Sequence, residues 1–260
     1  MDYSALAKKE FPFAGEFFLS RTKKHDELIF FVPFYGGVKK QLLRHIHFVN
    51  QLGYDAFAFE LEGNHKDWTK LRPPISSQGH FGIKHLYADQ IERLLNDIPG
   101  KKIIFSFSNP GGSAFEAMAR RQCSDTVAMI CDSGPTDKFL PSVVKLLEHE
   151  LKVKALALRL AITLPFALFW SPYFHKDLHT DLATFPEGFP LLSIRGWKDQ
   201  LIPPAHIDSV FEPHTNLDWQ KLSLPEAEHL KGLRDFKDDY QPVVEKFLIG
   251  ISAKEKAKNF

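Results

Sequence analysis

Cysteine is nearly missing from this 260-residue sequence, with only Cys123 and Cys131 present. That excludes a disulfide framework and makes a reducing, cytoplasmic setting the expectation. Net charge is nearly missing as well. A formal charge of +1 leaves no electrostatic footprint for nucleic acid. No basic head followed by an apolar stretch opens the chain at Met1–Glu10, so no signal peptide is expected. The most apolar run, Leu160–Trp170, is too short to span a bilayer, contains Pro165 and follows Arg159. No membrane span is expected there, and peripheral contact through this segment stays open. There is no His-Glu-x-x-His helix, and the two cysteines are not spaced as a ligand pair. Neither Gly-x-Gly-x-x-Gly nor a Gly-Lys-Ser/Thr phosphate loop occurs. No metal or organic cofactor is expected. Internal repeats and low-complexity linkers are absent too.

What remains is phenylalanine, at 24 copies enough for a thick core or an apolar cavity, and a regular alternation of strands and helices. Strand-like runs are read at Phe13–Arg21, Leu28–Val32, Tyr54–Leu61, Lys101–Phe107, Thr126–Cys131, Pro190–Gly196 and Asp218–Leu224. Helical patterns are read at about 40–52, 82–97, 114–121, 204–211 and 239–251. A polar loop is expected over Glu62–His80, with Pro242 in the first turn of the last helix and a loose charged tail from Ser252. Strands alternating with helices predict an α/β fold, a mostly parallel central sheet flanked by helices. Residues 136–188 break the rhythm. They are mainly helical and rich in Leu, Ala and Phe, and are expected to form a helical cap inserted into a single domain spanning 1–260. In such sheets, chemistry gathers in the loops at the carboxyl ends of the strands.

The run Ile103-Ile104-Phe105-Ser106-Phe107-Ser108-Asn109-Pro110-Gly111-Gly112-Ser113 is a strand ending in a sharp turn before a helix. Ser108 sits where the strand stops, Ser106 within it and Ser113 in the helix. This is the setting of a nucleophile elbow, Gly-x-Ser-x-Gly, with Ser106 and Pro110 in the glycine places. A second loop, Pro33-Phe34-Tyr35-Gly36-Gly37, follows a strand where backbone N–H groups commonly form an oxyanion hole; by position the donors are Tyr35 and Asn109. A serine hydroxyl needs a base. Of the twelve histidines, His229 lies after the last strand in a loop leading to a helix. His45 and His47 fall in a helix, His65, His80 and His85 flank the polar loop, and His149, His175 and His179 belong to the inserted segment. The base needs an orienting acid. Asp199, in Gly196-Trp197-Lys198-Asp199, keeps the order Ser…Asp…His; Asp132, also ending a strand, is the rival.

Taken together, Phe34-Tyr35-Gly36-Gly37, Ser106 to Gly112, Gly196 to Asp199 and His229 give a chain that resembles the α/β-hydrolase superfamily over nearly its whole length. The resemblance implies a Ser108–His229–Asp199 triad and no cofactor. Haloalkane dehalogenases and soluble epoxide hydrolases are similar, but they carry Asp at the nucleophile position, and Ser108 argues against both. The expected function is a serine hydrolase acting on a small-molecule carboxylic ester or thioester. The apolar acyl pocket is expected under the cap, lined by Phe34, Phe166, Phe169, Trp170 and Trp197. A non-catalytic binding or scaffold protein on this fold, and an acyltransferase or carbon–carbon bond hydrolase using the same triad, stand as alternatives. The substrate and the oligomeric state stay open.

Overall fold

The computed structural model describes residues 1–63, 73–149 and 151–258. His65 and residues 64–72 of the expected Glu62–His80 loop lie outside the described residues. Seven strands form one sheet: β1 (Glu16–Phe18), β2 (Leu28–Val32), β3 (Asp55–Ala58), β4 (Lys102–Phe107), β5 (Thr126–Asp132), β6 (Phe189–Gly196) and β7 (Leu217–Leu224). Their order is β1-β3-β2-β4-β5-β6-β7. Only β1 runs antiparallel, with Phe17 opposite Phe57; every other neighbouring pair is parallel. The first strand is therefore much shorter than the Phe13–Arg21 run suggested. Phe13 and Ala14 adopt positive φ, which an extended strand does not accommodate.

Helices cover both faces, as a buried parallel sheet requires. In β2 all five residues are buried, and alternation divides them. Leu28, Phe30 and Val32 join one core with Tyr87 and Ile91 of α2 (Ile83–Asp97), Phe115 and Met118 of α3 (Gly111–Arg120), and Ile207 and Phe211 of α7 (Pro204–Phe211). Ile29 and Phe31 join the other core. There they meet Leu42 and Ile46 of α1 (Lys39–Leu52), and Tyr240, Val244 and Leu248 of α9 (Lys237–Ala257). A short α8 (Gly232–Asp235) precedes α9.

Between β5 and β6 lie α4 (Phe139–His149), α5 (Leu156–Trp170) and α6 (Phe174–Ala183). Leu178 and Leu182 of α6 are fully buried in the first core.

Two expectations about the end of the chain need correction. Ser252 to Ala257 continue α9 rather than forming a loose tail, because Ser252 donates to Glu27 at 2.6 Å and Glu255 pairs with Lys101 at 2.7 Å. With the helix starting at Lys237, Pro242 lies inside it, past the first turn.

Candidate active site

β4 is the middle strand of the seven, and the chain turns sharply at its end. Ser108 is held at φ 57°, a left-handed conformation that costs a non-glycine residue energy and recurs at functional turns. Its N–H is fixed by the Asp132 carbonyl at 2.9 Å. Pro110 sits at φ −60° immediately before the first helical residue, Gly111. It has no N–H to waste, so it suits a helix entrance. The crowded place in this elbow is Gly111. A Cβ there would lie 3.0 Å from Ser106 Oγ and 3.2 Å from Pro135 Cδ. Pro110 fills the motif's second glycine place, but the close contact falls one residue on, where Ser106 supplies the small partner. On the other side, a Cβ on Gly134 would meet the Ser108 backbone at 2.8–3.0 Å.

The carbonyls of Ser108 and Asn109 accept the N–H groups of Gly111 and Gly112 at 3.1 and 3.0 Å. Among the described residues the Asn109 N–H donates to no protein acceptor. The Phe34–Gly37 turn closes through the Gly37 N–H on the Phe34 carbonyl at 2.8 Å, which places Tyr35 beside Ser108 and Asn109 on one cavity.

Asp199 follows β6 and His229 follows β7, both at carboxyl ends of strands. Asp199 is 3% exposed. Its Oδ2 lies 2.6 Å from His229 Nδ1, and its Oδ1 accepts the N–H groups of Leu201 and Ile202 at 2.9 and 2.8 Å. Both carboxylate oxygens are thus committed, one to the ring and two donors to the other. His229 and Ser108 line the same cavity. No hydrogen bond joins their side chains; such contacts tighten in the Michaelis complex.

Asp132, the rival acid, does other work. It accepts from Tyr240 Oη at 2.7 Å and from Ser133 Oγ at 2.8 Å. Ser133 Oγ in turn accepts the N–H of Leu230 at 3.0 Å, and Leu230 sits at φ 57°. Asp132 therefore anchors the loop that carries His229 instead of touching the ring. Burial and the Asp132 charge push the Tyr240 hydroxyl well above its ordinary range, so it stays a donor. His45, buried in α1, packs on Phe105 and Phe107. Nothing in the sequence pairs Ser133 or Tyr240 with the base; their link to His229 exists only across the packed fold.

Two cavities meet at His229. One, about 400 Å³, is largely apolar and is lined by Phe34, Tyr35, Ser108, Val143, Phe166 and Trp170, among others. The other, about 470 Å³, is polar, with His149, Lys152, Trp197 and Gln200 in its wall. Of the expected pocket residues, Phe34, Phe166 and Trp170 fall beside Ser108. Trp197, 62% exposed on the loop after β6, lines the polar cavity instead. Phe169 lies outside both: it is 47% exposed and packs on Phe81, since its neighbour Trp170 takes the inward place on α5.

A second polar cluster lies on α2, α3 and α6, with His80 in the loop before α2. The ligand-type atoms of His80, His85 and Glu116 come within 4.8 Å of one another. Glu116 is already taken: Lys84 lies 2.8 Å away, His85 Nδ1 2.8 Å away, and Arg120 also pairs with it. Another cation beside the buried Lys84 ammonium would be repelled, so the donor set fits an ion-pair network rather than a metal centre. Burial alone would raise the Glu116 carboxyl, but its hydrogen bond to His85 and the Lys84 charge bring it down to about 2. Asp181, paired with Lys84 at 2.9 Å, is pushed up to about 6 by burial. Cys123 and Cys131 are both free and buried, and burial pushes each thiol up to about 12, far from a reactive thiolate.

No protein-family model matches the chain, and no curated protein matches it in sequence. Solved structures do match. An esterase of Pyrococcus furiosus aligns over 86% of this chain and 81% of its own, with TM-score 0.61 and 14% identity. A carboxylesterase of Nitrososphaera gargenis aligns over 94% and 97%, with TM-score 0.62 and 14% identity. A bromoperoxidase of Bacillus anthracis aligns over 90% and 94%, with TM-score 0.58 and 12% identity. At such identities the likeness establishes architecture: this chain has the α/β-hydrolase fold. Esterase and bromoperoxidase on one fold also illustrate that the reaction has to be argued from the site.

Proposed function

We propose that the protein is a serine hydrolase that cleaves carboxylic esters or thioesters of apolar acyl groups. The observation that carries this reading is the 2.6 Å Asp199–His229 pair set on the same cavity as Ser108 at φ 57°. Asp199 holds the proton on Nδ1, which leaves Nε2 able to accept. Nε2 takes the Ser108 proton as Oγ attacks the acyl carbonyl, then returns it to the departing alkoxide or thiolate. The N–H groups of Asn109 and Tyr35 stabilise the oxyanion. Water then enters along the same path, and His229 activates it against the acyl-enzyme. Residues 136–188 act as a cap, with Phe166 and Trp170 roofing the acyl group. The polar cavity beyond His229 receives the leaving group and admits water.

The test is a panel of acyl esters and thioesters of increasing chain length on wild type and Ser108→Ala. Loss of turnover in the variant, with fluorophosphonate labelling of wild type at Ser108, is expected. Hydrolysis that survives in Ser108→Ala sinks the assignment. Pro33, Phe34 and Pro110, in places where the motifs carry His or Gly, favour a non-catalytic binding protein, and failure of wild type to label would establish that reading instead.

A further inference from the structure

α5 is built unlike a helix meant to face water. Across Leu156–Trp170 only Thr163 and Trp170 are buried. Leu156, Leu158, Leu160, Ile162, Leu164 and Leu168 are between 42% and 58% exposed. At 3.6 residues per turn these six sweep roughly 240° of the helix circumference. The remaining arc turns inward with Thr163, Phe166 and Trp170. The patch continues past the helix end, where Phe169 packs on Phe81 and Ile75 is 52% exposed. An ordinary surface helix shows a polar outer face; here the outer face is the greasy one.

Within the segment itself the charges have one sign, with Glu148 before it and Asp177 after it. From Leu151 to Lys176 the chain carries Lys152, Lys154, Arg159 and Lys176, and no Asp or Glu. Arg159 turns back to Glu148 at 2.7 Å. Among the described residues, Lys152, Lys154 and Lys176 pair with no carboxylate; all three are exposed and flank the two ends of the helix. Tyr173, 64% exposed, adds an aromatic ring at the C-terminal end.

We propose that α5 docks the protein on an anionic lipid surface. The helix lies in the interface with its exposed arc at the boundary of headgroups and acyl chains, and Lys152, Lys154 and Lys176 sit on anionic headgroups. The breadth of the arc selects this occupant. A protein groove covers one stripe of a helix, with anchors at i, i+3 or i+4 and i+7, whereas an acyl environment can wet two thirds of the circumference. The helix lies on the bilayer and does not cross it. The stretch Leu156–Ala183 is long and apolar enough for a span by length and composition, at 28 residues. Its second part, α6, is fastened to the domain by buried Leu178 and Leu182 and the Lys84–Asp181 pair. α5 alone has 15 residues, about 22 Å of helix against a hydrocarbon core of about 30 Å.

The inward arc of the same helix, with Phe166 and Trp170, walls the Ser108 cavity. Docking therefore brings that cavity within one helix diameter of the acyl phase. That the bilayer supplies the ester rests on the proposed hydrolase reading; the docking itself does not.

The experiment is flotation of the full chain with vesicles of phosphatidylcholine, with and without phosphatidylglycerol, at low and high salt. Wild type and Ser108→Ala are expected to float with the anionic vesicles and to be released by salt. Leu158→Glu/Leu160→Glu loses flotation while keeping its thermal midpoint and its turnover of a water-soluble acetyl ester. Lys154→Glu/Lys176→Glu weakens binding roughly fivefold or more per lysine. The proposal is overturned if wild type stays with the soluble fraction. It is overturned equally if both double variants float like wild type, or if the Leu→Glu pair instead dissociates a concentration-dependent dimer that binds no vesicle. Ester hydrolysis that depends on Ser108 without flotation refutes docking alone. Flotation with hydrolysis indifferent to Ser108 refutes the hydrolase reading alone.

Discussion

Asp199→Asn is the sharpest test of the site, because the structure dictates which way the new amide must point. In wild type Oδ1 accepts two backbone N–H groups, from Leu201 and Ile202, while Oδ2 faces His229 Nδ1 at 2.6 Å. An asparagine has one oxygen to offer. Turning its NH₂ toward Leu201 and Ile202 would set donor against donors and leave two largely buried N–H groups unpaired, at about 1–3 kcal/mol each. The amide oxygen therefore stays with the backbone, and the NH₂ meets His229. Nδ1 must then accept, so the ring proton moves to Nε2, the atom that has to receive the Ser108 proton. The nucleophile, the cavity and the oxyanion donors are untouched; only the tautomer is wrong. The expected loss in kcat is about 10⁴-fold, as for the same exchange in a serine-protease triad, equivalent to about 5.4 kcal/mol of barrier. The fold keeps both backbone bonds, so the thermal midpoint should move far less than in Asp199→Ala, which frees both N–H groups. Steady-state hydrolysis of a nitrophenyl ester, read beside differential scanning calorimetry, separates the two effects. An Asn variant within tenfold of wild-type kcat would refute the argument that Asp199 orients the base.

Other consequences follow from the same geometry. Val143→Trp intrudes on the apolar cavity that Val143 lines; room lost for two methylenes, at about 0.8 kcal/mol each, should lower kcat/KM for the longest acyl esters roughly fifteenfold while sparing acetyl esters. Ser133→Ala removes the acceptor of the Leu230 N–H; kcat should fall roughly tenfold with KM nearly unchanged, the signature of a displaced base rather than a lost binding contact. Glu116, held at about 2 in the folded state against 4.5 for the free group, should make stability rise as pH climbs from about 2 to 4.5 and be fully in place above that. Urea midpoints across that range should show this rise in wild type and a flatter profile in Glu116→Gln.

Much of this architecture could be read from the chain because its signals are local. A strand of β-branched and aromatic residues, a turn of Asn, Pro and Gly, and a helix beginning at once locate Ser108. The loops after β6 and β7 deliver Asp199 and His229 by their place in the alternation. The parts that escaped are set by distant pairing. Asp132 looked like a second orienting acid, since any carboxylate ending a strand does. Only the fold shows Tyr240 and Ser133 occupying it. Pro110 stands in the motif's second glycine place, whereas the backbone puts the close contact at Gly111, which the motif alone does not show. The helix beyond Ser252 reads as a loose charged tail until Glu27 and Lys101 arrive as partners. For the apolar run of α5, composition could not distinguish core from surface; the periodicity is nearly all apolar, so no face announces itself.

The C-terminal helix also has a bearing on how the chain is made. One face of the sheet, with Ile29, Phe31, Ala56 and Ile103, is covered partly by Tyr240, Val244, Leu248 and Ile251 of α9. The bonds Tyr54–Ser252 and Ser252–Glu27 close over sequence separations of 198 and 225. A ribosome releases the central strands long before that cover. From the end of β5 to the last buried turns of α9 are about 120 residues, or roughly 6–24 s of synthesis. For that interval an apolar sheet face lacks its α9 cover and depends on whatever shields nascent chains from one another. Tyr240 reaches Asp132 only at the end of the same interval, so the anchoring of the His229 loop is among the last events of biogenesis.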